Sequence, residues 1–142
     1  MPALATNKKA RFDYEILETY EAGLVLTGGE VKSIRAGHVK LSGAFVTFHG
    51  DTAYLTNAHI SAYPFAAPNH KHEPDRSRKL LLKKKEIDYL RGKMQEQGLT
   101  IVPLSVYTKK RLLKIEIGVA RGKKKFDKRE TIKRRDVERE MA

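Results

Sequence analysis

The stretch FDYEILETYEAGLVLT, from Phe12 to Thr27, decides how the rest of the chain is read. Phe12, Tyr14, Ile16, Glu18, Tyr20, Ala22, Leu24 and Leu26 fall on even positions, apolar but for Glu18, and the odd ones are mostly polar: Asp13, Glu15, Thr19, Glu21 and Thr27. That two-residue period is the signature of a half-buried strand. At about 3.3 Å per residue the stretch would extend roughly 50 Å, against a diameter near ~37 Å for a compact chain of this size. The strand must therefore curve, and Gly23, which lacks a Cβ, is the expected place for a bend or bulge. A mainly β fold with flanking helices, curled into a small closed barrel, is the expectation.

Outward from this strand, 142 residues allow one domain with a core and a tail. Twenty-nine Lys and Arg against seventeen Asp and Glu leave a net charge of +12, a surplus that calls for an anionic partner. Nucleic acid fits best, since the most basic segment has too few Leu, Phe or Trp residues for a membrane-binding helix. The absence of cysteine excludes disulfides, thiolate nucleophiles and sulfur-ligated zinc. With no apolar run approaching the ~18 residues of a membrane helix, a soluble, unprocessed, cytoplasmic protein is expected.

Residues 1–11 read as a basic arm carrying Lys8, Lys9 and Arg11. Thr27-Gly28-Gly29-Glu30 has capping-box spacing, which predicts a short helix from Gly28 to Ala36 that ends at Gly37 and turns Lys32 and Arg35 outward. Ala44–His49 and Ala53–Ile60 read as a hairpin, and Ser61–Ser77, with three prolines, as a long loop. Ile87, Leu90 and Met94 mark an amphipathic helix over Lys83–Gln97. Leu99–Tyr107 and Leu112–Arg121 form a second hairpin around Lys109-Lys110. From Arg121 to Ala142, ten basic and five acidic residues accompany only four large apolar ones, so this tail should be disordered alone and become helical only on a charged partner. The division expected is a barrel domain over 1–121 and a tail over 122–142.

No phosphate-cradling Gly-rich loop, G-x-S-x-G elbow or H-E-x-x-H is present. His70-Lys71-His72-Glu73, with Asp75 nearby, is the one cluster able in principle to ligate a metal or to serve as acid and base in RNA cleavage. It lies in a Pro-rich loop with no enforced geometry, so no enzyme, metal or cofactor is expected. The positive signal is basic side chains interleaved with Tyr and Phe, including Arg76, Arg78 and Lys79 before Leu80-Leu81-Leu82. Such a mixture suits a structured RNA recognised by shape.

Several motifs in one order then carry a resemblance: Asn7-Lys8-Lys9-Ala10-Arg11 leading to Tyr14, Glu21-Ala22-Gly23-Leu24, Gly28 with Glu30-Val31-Lys32-Ser33, Arg35-Ala36-Gly37, Arg78-Lys79-Leu80-Leu81-Leu82, Ile117-Gly118-Val119-Ala120, Gly122-Lys123-Lys124 and Asp127-Lys128-Arg129. Together they closely resemble the small protein B family, SmpB, whose members partner transfer-messenger RNA (tmRNA, or SsrA RNA). The resemblance implies an oligonucleotide-binding-type barrel that binds the tRNA-like domain of tmRNA in place of an anticodon arm. It also implies a C-terminal tail that enters the empty mRNA channel of a stalled ribosome, at the small-subunit decoding centre, during trans-translation. Elongation factor Tu and alanyl-tRNA synthetase become indirect partners through the charged tmRNA, and a monomer is expected.

By position, the resemblance assigns Asn7, Glu21 and Leu81 to the tRNA-like domain. Lys8, Arg11, Tyr14, Lys32 and Arg35 join them on charge and stacking. Gly122, Lys123, Lys124, Phe126, Asp127, Lys128, Arg129, Ile132 and Lys133 become the ribosome-facing tail. Phe126 stands where some members have His, which leaves stacking as its role, and Arg135-Asp136-Val137 stands where Arg-Glu-Trp is common. Two rivals follow from the residues: a general structured-RNA-binding or ribosomal protein with the same barrel, and a small ribonuclease using His70 and His72.

Overall fold

The alternating stretch folds as a strand, but it starts later than its periodicity suggests. The computed structural model describes residues 3–64, 72–96 and 98–123. In it the expected basic arm is a strand β1 (Ala3–Thr6) and a helix α1 (Lys8–Asp13), and β2 (Tyr14–Leu24) follows. One buried amide organises this entry. Asn7 Oδ1 accepts from Ala10 N at 3.1 Å and caps α1, while Nδ2 donates to Pro103 O at 2.9 Å and Leu41 O at 3.2 Å.

Within β2, Tyr14, Ile16, Glu18 and Tyr20 are half-buried and Glu15, Leu17, Thr19 and Glu21 exposed, as the period requires. The irregularity lies between Ile16 and Glu18 and not at Gly23. Gly23 answers a different need: it faces Lys114 on one side and Leu81 on the other, and a Cβ there would lie 3.2 Å from Leu81 Cβ. The glycine lets a neighbouring strand approach.

Helix α2 (Gly28–Arg35) opens on the predicted capping box, with Thr27 Oγ1 accepting from Glu30 N at 3.2 Å and Glu30 Oε1 from Thr27 N at 2.9 Å. Short β3 (Val39–Lys40) leads to the hairpin β4 (Phe45–His49) and β5 (Thr52–Thr56). Asn57, at φ 68°, ends that hairpin earlier than expected, and β6 (His59–Ile60) turns away to pair with β3. β7 (Arg78–Leu81), hidden in the sequence by its two cations, precedes α3 (Lys84–Met94). β8 (Leu99–Lys109) and β9 (Leu112–Gly122) complete the second hairpin.

The fold is mainly β with three helices among the described residues, but the expected closed barrel does not form. All seven strands of the main sheet pair antiparallel in the order β1-β8-β9-β2-β7-β5-β4, leaving β1 and β4 as edges. The sheet curls until β4 packs beside β8. Closure is blocked because β1 and Asn7 N already occupy the edge of β8 from Leu104 to Tyr107. The core fills the concave side, where Ile34 of α2 and Leu90 of α3 meet Val46, Ile101, Ile115 and Ile117, all at most 1% exposed. Each such side chain contributes about 1.5–3 kcal/mol by leaving water.

β9 reaches Gly122, and Lys123 N donates to Asp13 O at 2.9 Å, so the ladder passes the expected boundary at 121. The expected tail from Lys124 onward lies outside the described residues. No helix among the described residues is long and apolar enough to cross a membrane.

Candidate nucleic-acid interface

The convex face of the main sheet carries a polar network that alternation places there. On β2 the residues opposite the core include Glu21, and register sets it against Glu116 of β9, with Lys114 and Tyr107 one rung on. Tyr107 Oη donates to Glu21 Oε2 at 2.5 Å, and Lys109 Nζ reaches both Glu21 oxygens at 3.3 and 3.4 Å. The Tyr107 hydroxyl is the main reason the Glu21 carboxyl titrates below its ordinary range, with Lys109 adding to it. Burial and the same carboxylate push the Tyr107 phenol well above its ordinary value, so it stays a donor. Arg11 of α1 pairs with Glu116 at 3.2 Å on the same face. Tyr107, Lys109, Lys114 and Glu116 were not singled out from sequence, although the alternation Ser105, Tyr107, Lys109 marks them as one outward row.

Glu21 also borders an open groove of about 630 Å³ between β2, β7 and α3, lined by Leu81, Lys79, Lys83, Lys84 and Lys114. Leu81, 53% exposed, is an apolar patch within this basic rim. Glu21, Leu81 and Arg11 are thus brought to one face, with Lys8 exposed on α1. Asn7 is not a surface group: at 3% exposure, both amide donors and its carbonyl are engaged inside the fold. Tyr14 is half-buried beside Lys9 and Asp13 in a smaller groove of about 290 Å³, close to where Gly122 and Lys123 leave the ladder.

Helix α2 presents the second set. Lys32 is exposed, with its ammonium 5.0 Å from the centre of the Tyr63 ring, and Arg35 Nη2 donates to Arg111 O at 2.9 Å. The helix is held by a cluster of Glu30 with Arg76 and Arg78, two cations that the sequence alone groups with the RNA-binding ones. Arg78 is fully buried; its Nε lies 2.7 Å from Glu30 Oε2, Nη1 2.8 Å from Ala58 O and Nη2 3.3 Å from Glu73 O. Arg76 pairs with the other Glu30 oxygen. Burial alone would raise the Glu30 pKa, but hydrogen bonds from Thr27 N, Arg76 and Arg78 outweigh it and hold the carboxyl below its ordinary range. Arg78 therefore supports the surface that Lys32 and Arg35 present, and contacts no solvent itself.

The histidine cluster is only partly within the described residues, since His70 lies outside them. His72 Nε2 donates to Ile60 O at 2.6 Å and His59 Nδ1 lies 3.0 Å from Asp75, so the two imidazoles serve separate loop contacts. Among the described residues no three His, Cys, Asp or Glu side chains gather as a metal site. Lys124, Phe126, Asp127, Lys128, Arg129, Ile132 and Lys133 lie outside the described residues.

The described face thus combines a basic rim, an oriented carboxylate and an apolar patch with a buried ionic support behind it. The family model for SmpB protein matches residues 4–142. The SsrA-binding protein of Coxiella burnetii is 56% identical over 137 residues, 96% of this chain and 86% of that protein. That of Leuconostoc mesenteroides is 54% identical over 139 residues, 98% of this chain and 90% of that protein. A chain of the solved structure described as "tmRNA-SmpB: a journey to the center of the bacterial ribosome" superposes with a TM-score of 0.71 at 48% identity, covering 85% of each chain. By sequence over nearly its whole length, and by fold, this chain belongs to the SmpB protein family.

Proposed function

We propose that this protein binds tmRNA at its tRNA-like domain and delivers it to stalled ribosomes. The observation that carries this is the full-length likeness to SsrA-binding proteins, joined to the one convex face where Arg11, Glu21 and Leu81 converge. On that face Lys79, Lys83, Lys84 and Lys114 neutralise phosphates and release counterions, which supplies affinity. Glu21, held ionised by Tyr107 and Lys109, accepts from base amino groups, and Leu81 packs against an unpaired base or sugar, which supplies selectivity. Lys32 and Arg35 extend the contact from α2, while Asn7 acts as a positioning residue that ties α1 and β8 together.

The tail from Gly122 onward, with Lys123, Lys124, Phe126, Asp127, Lys128, Arg129, Ile132 and Lys133, is assigned to the ribosomal decoding centre and mRNA channel. The division of labour is a body for tmRNA and a tail for the ribosome, in the cytoplasm. The protein acts by binding and makes no bond itself; elongation factor Tu and alanyl-tRNA synthetase meet it only through the charged tmRNA.

The test is the dissociation constant for the isolated tRNA-like domain beside an ordinary tRNA and a plain duplex, across a salt series. A preference for the tRNA-like domain that persists as salt rises supports the reading, and equal affinities that fall together refute it. A chain truncated after Lys123 should keep tRNA-like-domain affinity within about threefold, under 1 kcal/mol, and lose ribosome rescue. Equal loss of both would refute the division.

A further inference from the structure

The two-residue turn joining β8 to β9 is built against backbone preference. Lys110 and Arg111 have φ of 50° and 68°, between the paired residues Lys109 and Leu112. Two consecutive positive φ angles are those of a type I′ hairpin turn, which matches strand twist and is normally made by Asn-Gly. A lysine followed by an arginine crowds two Cβ atoms against the backbone at such angles. Nothing in the fold requires these side chains: both are exposed, and neither has a hydrogen bond or ion pair among the described residues.

The tip is nonetheless held in place. Arg35 of α2 donates to Arg111 O at 2.9 Å, and Lys109, at the base of the turn, is bound to Glu21. Leu112, the next residue, is 60% exposed, more than any other large apolar side chain described. Of the two carboxylates paired in register on this face, Glu21 is already engaged by Tyr107 and Lys109, and Glu116 by Arg11. Two unneutralised cations therefore project from a fixed turn, beside an uncovered leucine, at the end of the row that carries Tyr107 and Lys109.

We infer that Lys110 and Arg111 form a phosphate clamp that grips the backbone of the structured RNA docked on the convex face, with Leu112 packing on a sugar or base edge. The inference rests on the tmRNA reading above and adds a contact to it. Arg111 offers a planar fork to a phosphate and Lys110 a point charge. The strained turn fixes the origin of both side chains, so less freedom is lost on binding.

The experiment replaces the tip by the residues its backbone prefers. Lys110→Asn/Arg111→Gly in the full chain should raise the melting temperature, because strain is relieved and the Arg111 carbonyl that Arg35 holds is retained. The same variant should weaken binding to the tRNA-like domain about tenfold and reduce the slope of log affinity against log salt by about 2, one per lost phosphate contact. Lys110→Gln/Arg111→Gln, which keeps both Cβ atoms, should show the same binding loss without the rise in melting temperature. If both variants bind the tRNA-like domain like the parent chain, the clamp is refuted; if they lose only ribosome affinity, the RNA assigned here is wrong. A parent chain with no preference for the tRNA-like domain over duplex would instead overturn the tmRNA reading itself, which separates the two failures.

Discussion

Replacing Arg78 by methionine tests whether a fully buried guanidinium is a structural support beneath helix α2. The change removes the bonds to Glu30 at 2.7 and 2.6 Å and orphans Ala58 O, which Nη1 reaches at 2.8 Å. Breaking a buried ion pair by removing one partner costs about 3–5 kcal/mol, because the other charge stays buried. Here Arg76 and Thr27 N remain on Glu30, which is 1% exposed, so the lower end, ~3 kcal/mol, applies. Against a total stability of about 5–15 kcal/mol, and at roughly 3–4 °C per kcal/mol for a chain of this length, the melting temperature should fall by about 10 °C. Urea unfolding at constant m-value measures the loss. Glu30→Gln combined with Arg78→Met should cost less than the two single changes summed, by about 1–3 kcal/mol. Well below its melting temperature, Arg78→Met should bind the tRNA-like domain like the parent chain, since the side chain meets no surface. A loss under ~1 kcal/mol, strict additivity, or a weakened salt slope in the folded variant would each refute the assignment of Arg78 as a buried support.

Acid should act through the same cluster. Glu30 has a folded pKa below its ordinary 4.5, so its contribution is complete above that value and lost as pH falls through it toward the folded pKa. The urea midpoint of the parent chain should therefore drop as pH falls below 4.5, and Arg78→Met, with one of the lowering partners gone, should drop less; identical pH profiles would exclude the mechanism. Gly118 makes an independent packing prediction. A Cβ there would lie 3.0 Å from both Ile16 Cγ2 and Leu104 Cδ1, so Gly118→Ala should destabilise by about 1–3 kcal/mol in urea unfolding. Gly92 in α3 has nothing within 4 Å, and Gly92→Ala should stabilise by about 0.5–1 kcal/mol; equal effects at the two sites would refute the close approach of β2, β8 and β9.

Much of the fold was legible because its causes are local. The alternation of Tyr14 to Glu21, the Thr27–Glu30 capping box and the glycine stop at Gly37, with φ +83°, each act within a few residues and appear where expected, whereas α3 ends at Met94, short of the expected Gln97. Of the elements missed, β1 and β3 are too short for a period to show, and α1 and β7 carry residues that look polar until a distant group receives them. Lys8–Asp13 carries charges that suggest a loose arm, and it becomes a helix because Asn7 is anchored to Leu41 and Pro103. Arg78 belongs to a basic run, and it is buried because Glu30, 48 residues away, waits on α2 with a carboxylate that needs a cation.

The site divides along the same line. Charge, alternation and motif order are written in the chain, and they alone pointed to a basic RNA-binding face containing Arg11, Glu21 and Leu81 and to membership of the SmpB family. Which cations reach solvent, that Glu21 is gripped by Tyr107 and Lys109, and that β1 leaves the sheet open were decided only by the tertiary structure. Periodicity tells each residue which side of its own strand or helix it takes. A buried polar group must find its partner wherever the folded chain supplies one, and that partner lies beyond the reach of any local pattern.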